Sequence, residues 1–186
     1  MAGVGKSIVL IGMMGAGKSS VGACLCRQTG LGLFDTDEIV ASKFGMSIPE
    51  IFAEHGEKEF RNAETKALRA IRTEEQTIII TGGGIVLRKE NVEILKSQGV
   101  IVWLDADEKT LFARASRKQN RPLLRTKNRR KALSQIHDAR RPLYASIADI
   151  RVDTSVLTDE EVAVAILAKL GRMDPKPEST IPTKTS

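Results

Sequence analysis

The residues with the clearest chemical meaning lie near the start of the chain, in the stretch IGMMGAGKSS that begins at Ile11. Gly12, Gly17, Lys18 and Ser19 match the pattern G-x-x-x-x-G-K-[ST]. In this pattern the glycines let backbone N–H groups curl around phosphate oxygens, the lysine reaches the β and γ phosphates, and the serine hydroxyl ligates Mg²⁺. The stretch therefore predicts a nucleotide site that includes magnesium. Its predicted nucleotide contacts are Gly15, Ala16, Gly17, Lys18, Ser19 and Ser20.

Two carboxylates follow a second predicted strand, in the sequence FDTDEIV. We expect Asp35 and Asp37 to lie on the same side of an extended segment, at the carboxyl edge of a sheet where ligands bind in open α/β folds. The strand predicted at 76–81 ends in glycines rather than in an acid, so Asp35 is the available carboxylate for a magnesium site. The alternative is a turn that only caps a helix beginning at Glu38.

Three successive glycines, Gly82, Gly83 and Gly84, follow the strand at 76–81. Such flexible residues cost stability and are most useful where the backbone must approach a ligand closely. Arg61 has a weaker signal, because it lies in a charged helical segment that is, by itself, typical of a solvated face.

The sequence from Arg114 to Arg141 is strongly basic and contains a single acid, Asp138. It holds two short patterns, NRPLL and RRPLY. Arginine recognises planar anions and stabilises the charge that develops on a transferring phosphoryl group. A basic loop over a phosphate site acts as a lid, which we predict at about 117–127.

Composition restricts the partners. The chain has 186 residues, a net charge of +6 and only 4% aromatic residues, and no aromatic side chain interrupts its basic stretch before Tyr144. Because single-stranded bases stack on aromatic rings, this pattern argues against a nucleic-acid partner. No apolar run approaches the roughly 20 residues of a membrane span. Only six residues precede the first apolar run, so we expect a cytoplasmic protein without membrane attachment. The lack of an exposed apolar stripe favours a monomer.

The elements that must position these residues follow from the apolar periodicity. Short β-branched runs alternate with helical patterns, which predicts one α/β domain with a parallel sheet covered on both faces. The predicted strands are 7–11, 31–34, 76–81, 100–104 and 149–152. The predicted helices are 18–29, 89–97, 108–117, 128–139 and 158–170, with further helices inserted over about 38–72. The domain is expected to span 1–171, and the proline-rich residues 172–186 are expected to form a disordered tail.

The motifs GMMGAGKSS, FDTDEIV, EFRNAE, TGGGIV, RPLL and RRPLY, taken in this order over residues 7–170, resemble the shikimate kinase family of small P-loop kinases. The resemblance implies a five-stranded parallel sheet in the order 2-3-1-4-5. It also implies ATP-dependent phosphorylation of the 3-hydroxyl of shikimate, with Mg²⁺ as cofactor.

The resemblance further implies roles for individual residues on the donor side. Asp35 helps to hold Mg²⁺ through water, together with Ser19. Arg121, in the lid, closes on the ATP phosphates and joins Lys18 and Asp37 as a catalytic residue.

On the acceptor side, the resemblance implies that Asp37 binds shikimate hydroxyls near the reacting oxygen, where it either orients or deprotonates the attacking group. Arg61 and Arg140 clamp the carboxylate, and Gly83 offers a backbone contact. Arg141 is the alternative to Arg140, although the spacing to the following Pro-Leu-Tyr favours Arg140.

Two other functions stay open at this point. A kinase for a different small metabolite, such as gluconate, would share the phosphate loop, but it has no need for two arginines aimed at a ring carboxylate. A nucleotide-dependent regulatory module would keep the loop and lose the chemistry, which the presence of Asp35, Asp37, Arg61 and Arg140 argues against.

Overall fold

The computed structural model describes residues 6–71, 75–117 and 126–173. Five strands form one parallel sheet, in the order β2-β3-β1-β4-β5. This confirms the predicted fold class and strand order. The strands are β1 (Ser7–Ile11), β2 (Gly32–Asp35), β3 (Thr77–Ile80), β4 (Gly99–Asp105) and β5 (Ile150–Asp153).

The central strand β1 shows why these apolar runs form strands. Every residue of β1 is buried, and Ile8 pairs with Ile78 of β3 on one side and with Val100 of β4 on the other. A strand covered on both faces is apolar throughout rather than at alternate positions. The edge strand β2 is exposed along most of its length.

Helices connect the strands. They are α1 (Lys18–Thr29), α2 (Thr36–Phe44), α3 (Ile48–Glu54), α4 (Gly56–Ala70), α5 (Lys89–Gln98), α6 (Glu108–Ser116), α7 (Arg129–Ile147) and α8 (Asp159–Met173), with a short 3₁₀ helix at Ile85–Leu87. Helix α1 has the predicted bounds, and its last turn is closed by Gly30, whose N–H donates to the Cys26 carbonyl. None of the described helices is both long and apolar enough to cross a bilayer.

Helices α2, α3 and α4 form the predicted insertion between β2 and β3. Helix α3 begins with a capping box, in which Ser47 and Glu50 satisfy each other's free groups. The insertion has its own small core, separate from the main apolar core that surrounds the sheet. Its buried members are Val40, Ile51, Phe60, Ala63 and Ala67.

Helix α7 is longer than predicted, since the prediction ended it at residue 139 and it continues through Pro142 to Ile147. Proline removes one helical hydrogen bond and usually ends a helix. Here Tyr144 is 1% exposed and belongs to the main core, so tertiary packing outweighs the local cost. Helix α8 likewise extends past its predicted end at residue 170. The rest of the predicted tail, 174–186, lies outside the described part of the chain.

Parallel strands end at a common edge of the sheet, where ligands bind in open α/β folds. The phosphate-loop motif follows β1, the Asp-Thr-Asp element begins at the end of β2, and the three glycines follow β3. The topology thus brings together motifs that are up to about seventy residues apart in the sequence.

Candidate functional site

The loop between β1 and α1 has the backbone of a phosphate-binding loop. Gly12, Gly15 and Gly17 have φ angles of 143°, 87° and 92°, a region that side chains strongly disfavour. A Cβ on Gly12 would also lie 2.3 Å from the Leu104 carbonyl oxygen of β4. Only glycine can therefore occupy position 12 without displacing the sheet.

Lys18, at the start of α1, folds back over this loop. Its Nζ donates to the carbonyl oxygens of Gly12 at 2.8 Å and Met13 at 3.1 Å. These bonds hold a positive charge at the amino end of a helix, where backbone N–H groups and the helix dipole also favour an anion.

An open cleft of about 510 Å³ adjoins the phosphate loop. Thr154, directly after β5, connects the phosphate loop to α6. Its hydroxyl donates to the Ala16 carbonyl at 3.2 Å. Arg114 of α6 donates to the Thr154 hydroxyl at 3.1 Å and to its carbonyl at 2.9 Å. The cleft lining is Gly15, Gly17, Lys18, Ser19, Ser20, Arg114, Arg117, Leu157, Thr158, Asp159 and Glu160. Sequence reasoning found the loop residues but not the opposite wall, which has no motif of its own.

The Asp-Thr-Asp element differs from the prediction in its backbone. It is not extended throughout, because β2 ends at Asp35 and α2 begins at Thr36. The Asp35 carboxylate accepts a hydrogen bond from the Asp37 backbone N–H at 2.9 Å and caps α2. The expectation that the two carboxylates share one side of an extended segment is therefore wrong. Asp35 does cap a helix, which begins at Thr36 rather than at Glu38, and its predicted role at magnesium stays a prediction.

A divalent cation would find a suitable set of donors beside the phosphate loop. Among the described residues, no cluster of three or more His, Cys, Asp or Glu side chains could hold a metal ion. Mg²⁺ in kinases usually keeps several waters and binds substrate phosphates with only one or two protein oxygens. The Ser19 hydroxyl, which lines the cleft, and the Asp35 carboxylate, which follows β2 at the same edge of the sheet, are oxygen donors of the kind that requirement asks for.

A second, smaller pocket of about 70 Å³ lies on the other side of the phosphate loop. It combines two acids, two arginines, apolar side chains and the three glycines. The lining is Met14, Asp37, Ile48, Phe52, Phe60, Arg61, Glu64, Gly82, Gly83, Gly84 and Arg140. The structure thus brings together four residues that the resemblance assigned to the acceptor: Asp37, Arg61, Gly83 and Arg140.

Arg61 is 7% exposed and is held in place by its own helix. It donates to Glu64 at 2.9 Å and to Glu57 at 3.1 Å, and its guanidinium lies 5.1 Å from the centre of the Phe60 ring. Burial opposes the charged form of Arg61, but the Glu64 and Glu57 carboxylates outweigh burial and raise the guanidinium pKa above its ordinary value. Arg61 is therefore a charged group on a helical face that is buried, not solvated.

Glu64 is the functional candidate that the sequence did not reveal. Its side chain is fully buried, and burial raises its pKa although Arg61, Arg140 and Arg88 lower it in part. Among the described residues its Oε1 has no hydrogen-bond partner. The sequence signals for Glu64 were its place at the end of the motif EFRNAE and its i, i+3 spacing from Arg61 on α4.

Arg140 and Arg141 face different surroundings. Arg140 is 6% exposed and lines the small pocket with Arg61. Arg141 is half-exposed, and its guanidinium lies 3.8 Å from the Asp105 carboxylate, outside that pocket. The surroundings favour Arg140 as the residue that meets an acceptor.

Gly83 lines the small pocket and also lies against the phosphate loop. A Cβ on Gly83 would be 3.4 Å from the Gly12 carbonyl oxygen, 3.5 Å from the Met14 nitrogen and 3.7 Å from Arg140 Nη1. Next to it, a Cβ on Gly84 would lie 2.3 Å from Arg61 Nη2. The glycine segment therefore separates the phosphate loop from the arginines by the thickness of one backbone.

Arg121 and most of the predicted lid lie outside the described residues, so the predicted role of Arg121 stays a prediction. At the amino end of that segment, Arg117 lines the large cleft.

A phosphate-binding loop at the carboxyl edge of a 2-3-1-4-5 parallel sheet, with an adjoining pocket for a second ligand, defines a P-loop kinase. The family model for shikimate kinase matches residues 14–171. The chain belongs to the shikimate kinase family, whose members are ATP-dependent phosphotransferases.

Individual relatives agree with this assignment. The shikimate kinase of Thermodesulfovibrio yellowstonii is 42% identical over 168 residues, which cover 90% of this chain and 96% of that protein. A solved structure of shikimate kinase from Acinetobacter baumannii in complex with shikimate is 33% identical. It has a TM-score of 0.87 and covers 90% of this chain and 94% of its own.

A gluconokinase from Sinorhizobium meliloti shares the fold alone. It is 18% identical, with a TM-score of 0.57, and covers 90% of this chain and 92% of its own. Shikimate kinase and gluconokinase structures are therefore both similar in fold to this chain. The sequence identity is higher to the shikimate kinase, at 33%, than to the gluconokinase, at 18%.

Proposed function

We propose that this protein transfers the γ-phosphate of ATP to the 3-hydroxyl of shikimate, giving shikimate 3-phosphate and ADP. The observation that carries the proposal is the small pocket, in which two buried arginines and Asp37 meet beside the phosphate loop. A planar carboxylate matches the guanidinium fork, and ring hydroxyls match an aspartate. Shikimate offers both groups on one small ring.

On the donor side, the loop from Gly15 to Ser20 holds the nucleotide phosphates, and Lys18 stabilises negative charge on the β and γ phosphates. Bound Mg²⁺ would neutralise further charge on these phosphates, held by Ser19 directly and by Asp35 through water. Arg121, from the lid, would close over the same phosphates. Catalysis is then mainly positioning and charge stabilisation.

On the acceptor side, Asp37 binds the reacting hydroxyl of shikimate, which it orients or deprotonates. Its carboxylate lies next to the glycine segment, since a Cβ on Gly82 would be 2.7 Å from Asp37 Oδ1. Arg61 and Arg140 hold the carboxylate, and the backbone of Gly83 contributes a further contact. Because Gly83 also lies against the phosphate loop, an acceptor held there is near the γ-phosphate.

An ADP-release assay tests the proposed function directly. Purified protein with ATP and Mg²⁺ is given shikimate, gluconate or no acceptor. We expect ADP release that depends on shikimate. Equal rates with gluconate, or release without any acceptor, would contradict the proposal. We also propose that the protein acts as a monomer in the cytoplasm. Light scattering of the purified protein measures its molar mass and so tests the monomeric state.

The arginine clamp gives a prediction that separates shikimate from acceptors with hydroxyls only. Charge-assisted hydrogen bonds are each worth roughly 1.5–3 kcal/mol, or about 10- to 150-fold in affinity. We expect Arg61→Ala and Arg140→Ala each to raise the shikimate KM by that order and to leave the ATP KM nearly unchanged. Steady-state kinetics with each substrate varied provides the measurement.

Arg141→Ala is the matched control, because it removes the same side chain one residue away and outside the pocket. We expect its shikimate KM to be close to that of the wild type. The Arg61→Ala/Arg140→Ala double variant should lose less than the sum of the single effects, since both arginines address one carboxylate. A rise for Arg141→Ala alone would reverse the assignment, and no rise for any variant would contradict a carboxylate-bearing acceptor.

A further inference from the structure

Tyr144 contacts the acceptor pocket from behind and has no place in the roles described so far. It lies on α7 four residues after Arg140, so the two side chains are neighbours on one helical face. Its hydroxyl donates a hydrogen bond to the carbonyl oxygen of Gly83. Tyr144 is 1% exposed, so water does not compete for this bond.

The Tyr144 hydrogen bond restrains the backbone in the middle of the three glycines, at the peptide between Gly83 and Gly84. In a trans peptide the carbonyl and the following N–H point in opposite directions, so holding the Gly83 oxygen also fixes the N–H of Gly84. Glycine has no side chain to restrict its backbone, and three glycines in succession have many accessible conformations. The residues on either side are already held, since Gly82 N–H donates to the Thr36 hydroxyl and the Gly82 and Gly84 carbonyls accept from Ile85 and Leu87. The Tyr144 hydroxyl adds the corresponding restraint at Gly83, in the middle of the segment.

Tyr144 is also close to a second acceptor contact. Burial dominates and raises the pKa of Tyr144 to about 12, although the nearby positive charge of Arg140 lowers it in part. The phenol thus keeps its proton and remains a donor throughout the neutral pH range. The ring also packs in the core against Trp103, with ring centres 6.1 Å apart, which fixes the position of the hydroxyl.

We propose that Tyr144 is a positioning residue for the acceptor site. Its hydroxyl holds the Gly83 peptide at a fixed distance from Arg140. This inference rests on the proposed function, since it concerns the same pocket. Without the hydroxyl, the glycine segment samples other conformations, and binding of shikimate must restore the productive one. The phosphate loop keeps its own hydrogen bonds, so nucleotide binding does not depend on Tyr144.

The test is Tyr144→Phe, which removes one oxygen and keeps the ring. We expect the shikimate KM, and the shikimate Kd from calorimetry without nucleotide, to rise about 5- to 150-fold, the range for a buried carbonyl left without its hydrogen-bond donor. The ATP KM should stay within about twofold of the wild-type value. We expect a smaller effect on kcat than on the shikimate KM.

Thr77→Val is the matched control, since it also removes one buried hydroxyl. The Thr77 hydroxyl bonds to that of Ser7 at 3.3 Å, at the opposite end of β3 from the glycines. We expect it to lower the melting temperature without changing the shikimate KM. If Tyr144→Phe behaves in the same way, or weakens ATP and shikimate equally, Tyr144 is only structural and the inference is wrong.

Two further outcomes are distinguishable. If the wild-type protein binds no shikimate in calorimetry, both the proposed function and this inference are wrong; if it binds shikimate and Tyr144→Phe binds it equally well, only the inference is wrong. If Tyr144→Phe is unstable at 25 °C, the same titrations at about 10 °C, near the usual temperature of maximum stability, make the same comparison.

Discussion

Lys18→Ala is expected to abolish phosphoryl transfer to every acceptor. The ammonium group is held over the phosphate loop by the carbonyls of Gly12 and Met13, and it stabilises charge that forms during transfer. Loss of one preorganised donor typically costs about 10²–10³-fold in kcat, and loss of a full charge should reach at least the upper end. Ser19→Ala should have a similar effect, because it removes the hydroxyl that we propose as a magnesium ligand. ADP release with shikimate provides the measurement.

The chain contains a matched control for this experiment. Lys6 and Ser7 repeat the letters of the motif, but Lys6 is exposed and precedes β1. We expect Lys6→Ala to have wild-type activity. Circular dichroism should show that Lys18→Ala is folded, and retained shikimate phosphorylation in this variant would refute the assignment of the phosphate loop.

Asp37→Asn is expected to lower kcat by about 10²–10⁴-fold, the range typical of a general base. The amide keeps the shape of the side chain, but it carries no charge and accepts no proton. The protein should still fold, because asparagine fills the same volume and the charge of an acid in the first turn of α2 is worth about 0.3–1 kcal/mol. Single-turnover kinetics with saturating ATP and shikimate measures the chemical step.

Glu38→Gln removes the same charge from the next residue of α2, which is exposed. We expect this control to have nearly wild-type kcat. A near-wild-type kcat for Asp37→Asn as well would limit Asp37 to a structural role at the start of the helix. A small loss in kcat with a large rise in the shikimate KM would favour orientation of the hydroxyl over proton abstraction.

The sequence predicted the sheet well because its three central strands, β1, β3 and β4, are buried apolar runs. The first helix is bounded by Gly17 and Gly30, which are also local signals. The sequence predicted α7 poorly because Pro142 is a local signal against a helix, and packing of Tyr144 is a tertiary effect. The motif residues of the site were accessible through spacing and resemblance. Their supports were not, since the partners of Thr154 and Tyr144 are 138 and 61 residues away along the chain.

The separate core of the α2–α4 insertion has a consequence for how acceptor choice changes during evolution or design. Arg61 and Glu64 belong to α4, which packs Phe60, Ala63 and Ala67 in the insertion's own cluster. The phosphate loop belongs to the main core, which α4 joins near its end through Leu68. Mutations within the insertion's own cluster can therefore accumulate with little effect on the phosphate loop. The protein therefore has a modular organisation, in which the α2–α4 insertion can change its choice of acceptor while the phosphate loop keeps its nucleotide site.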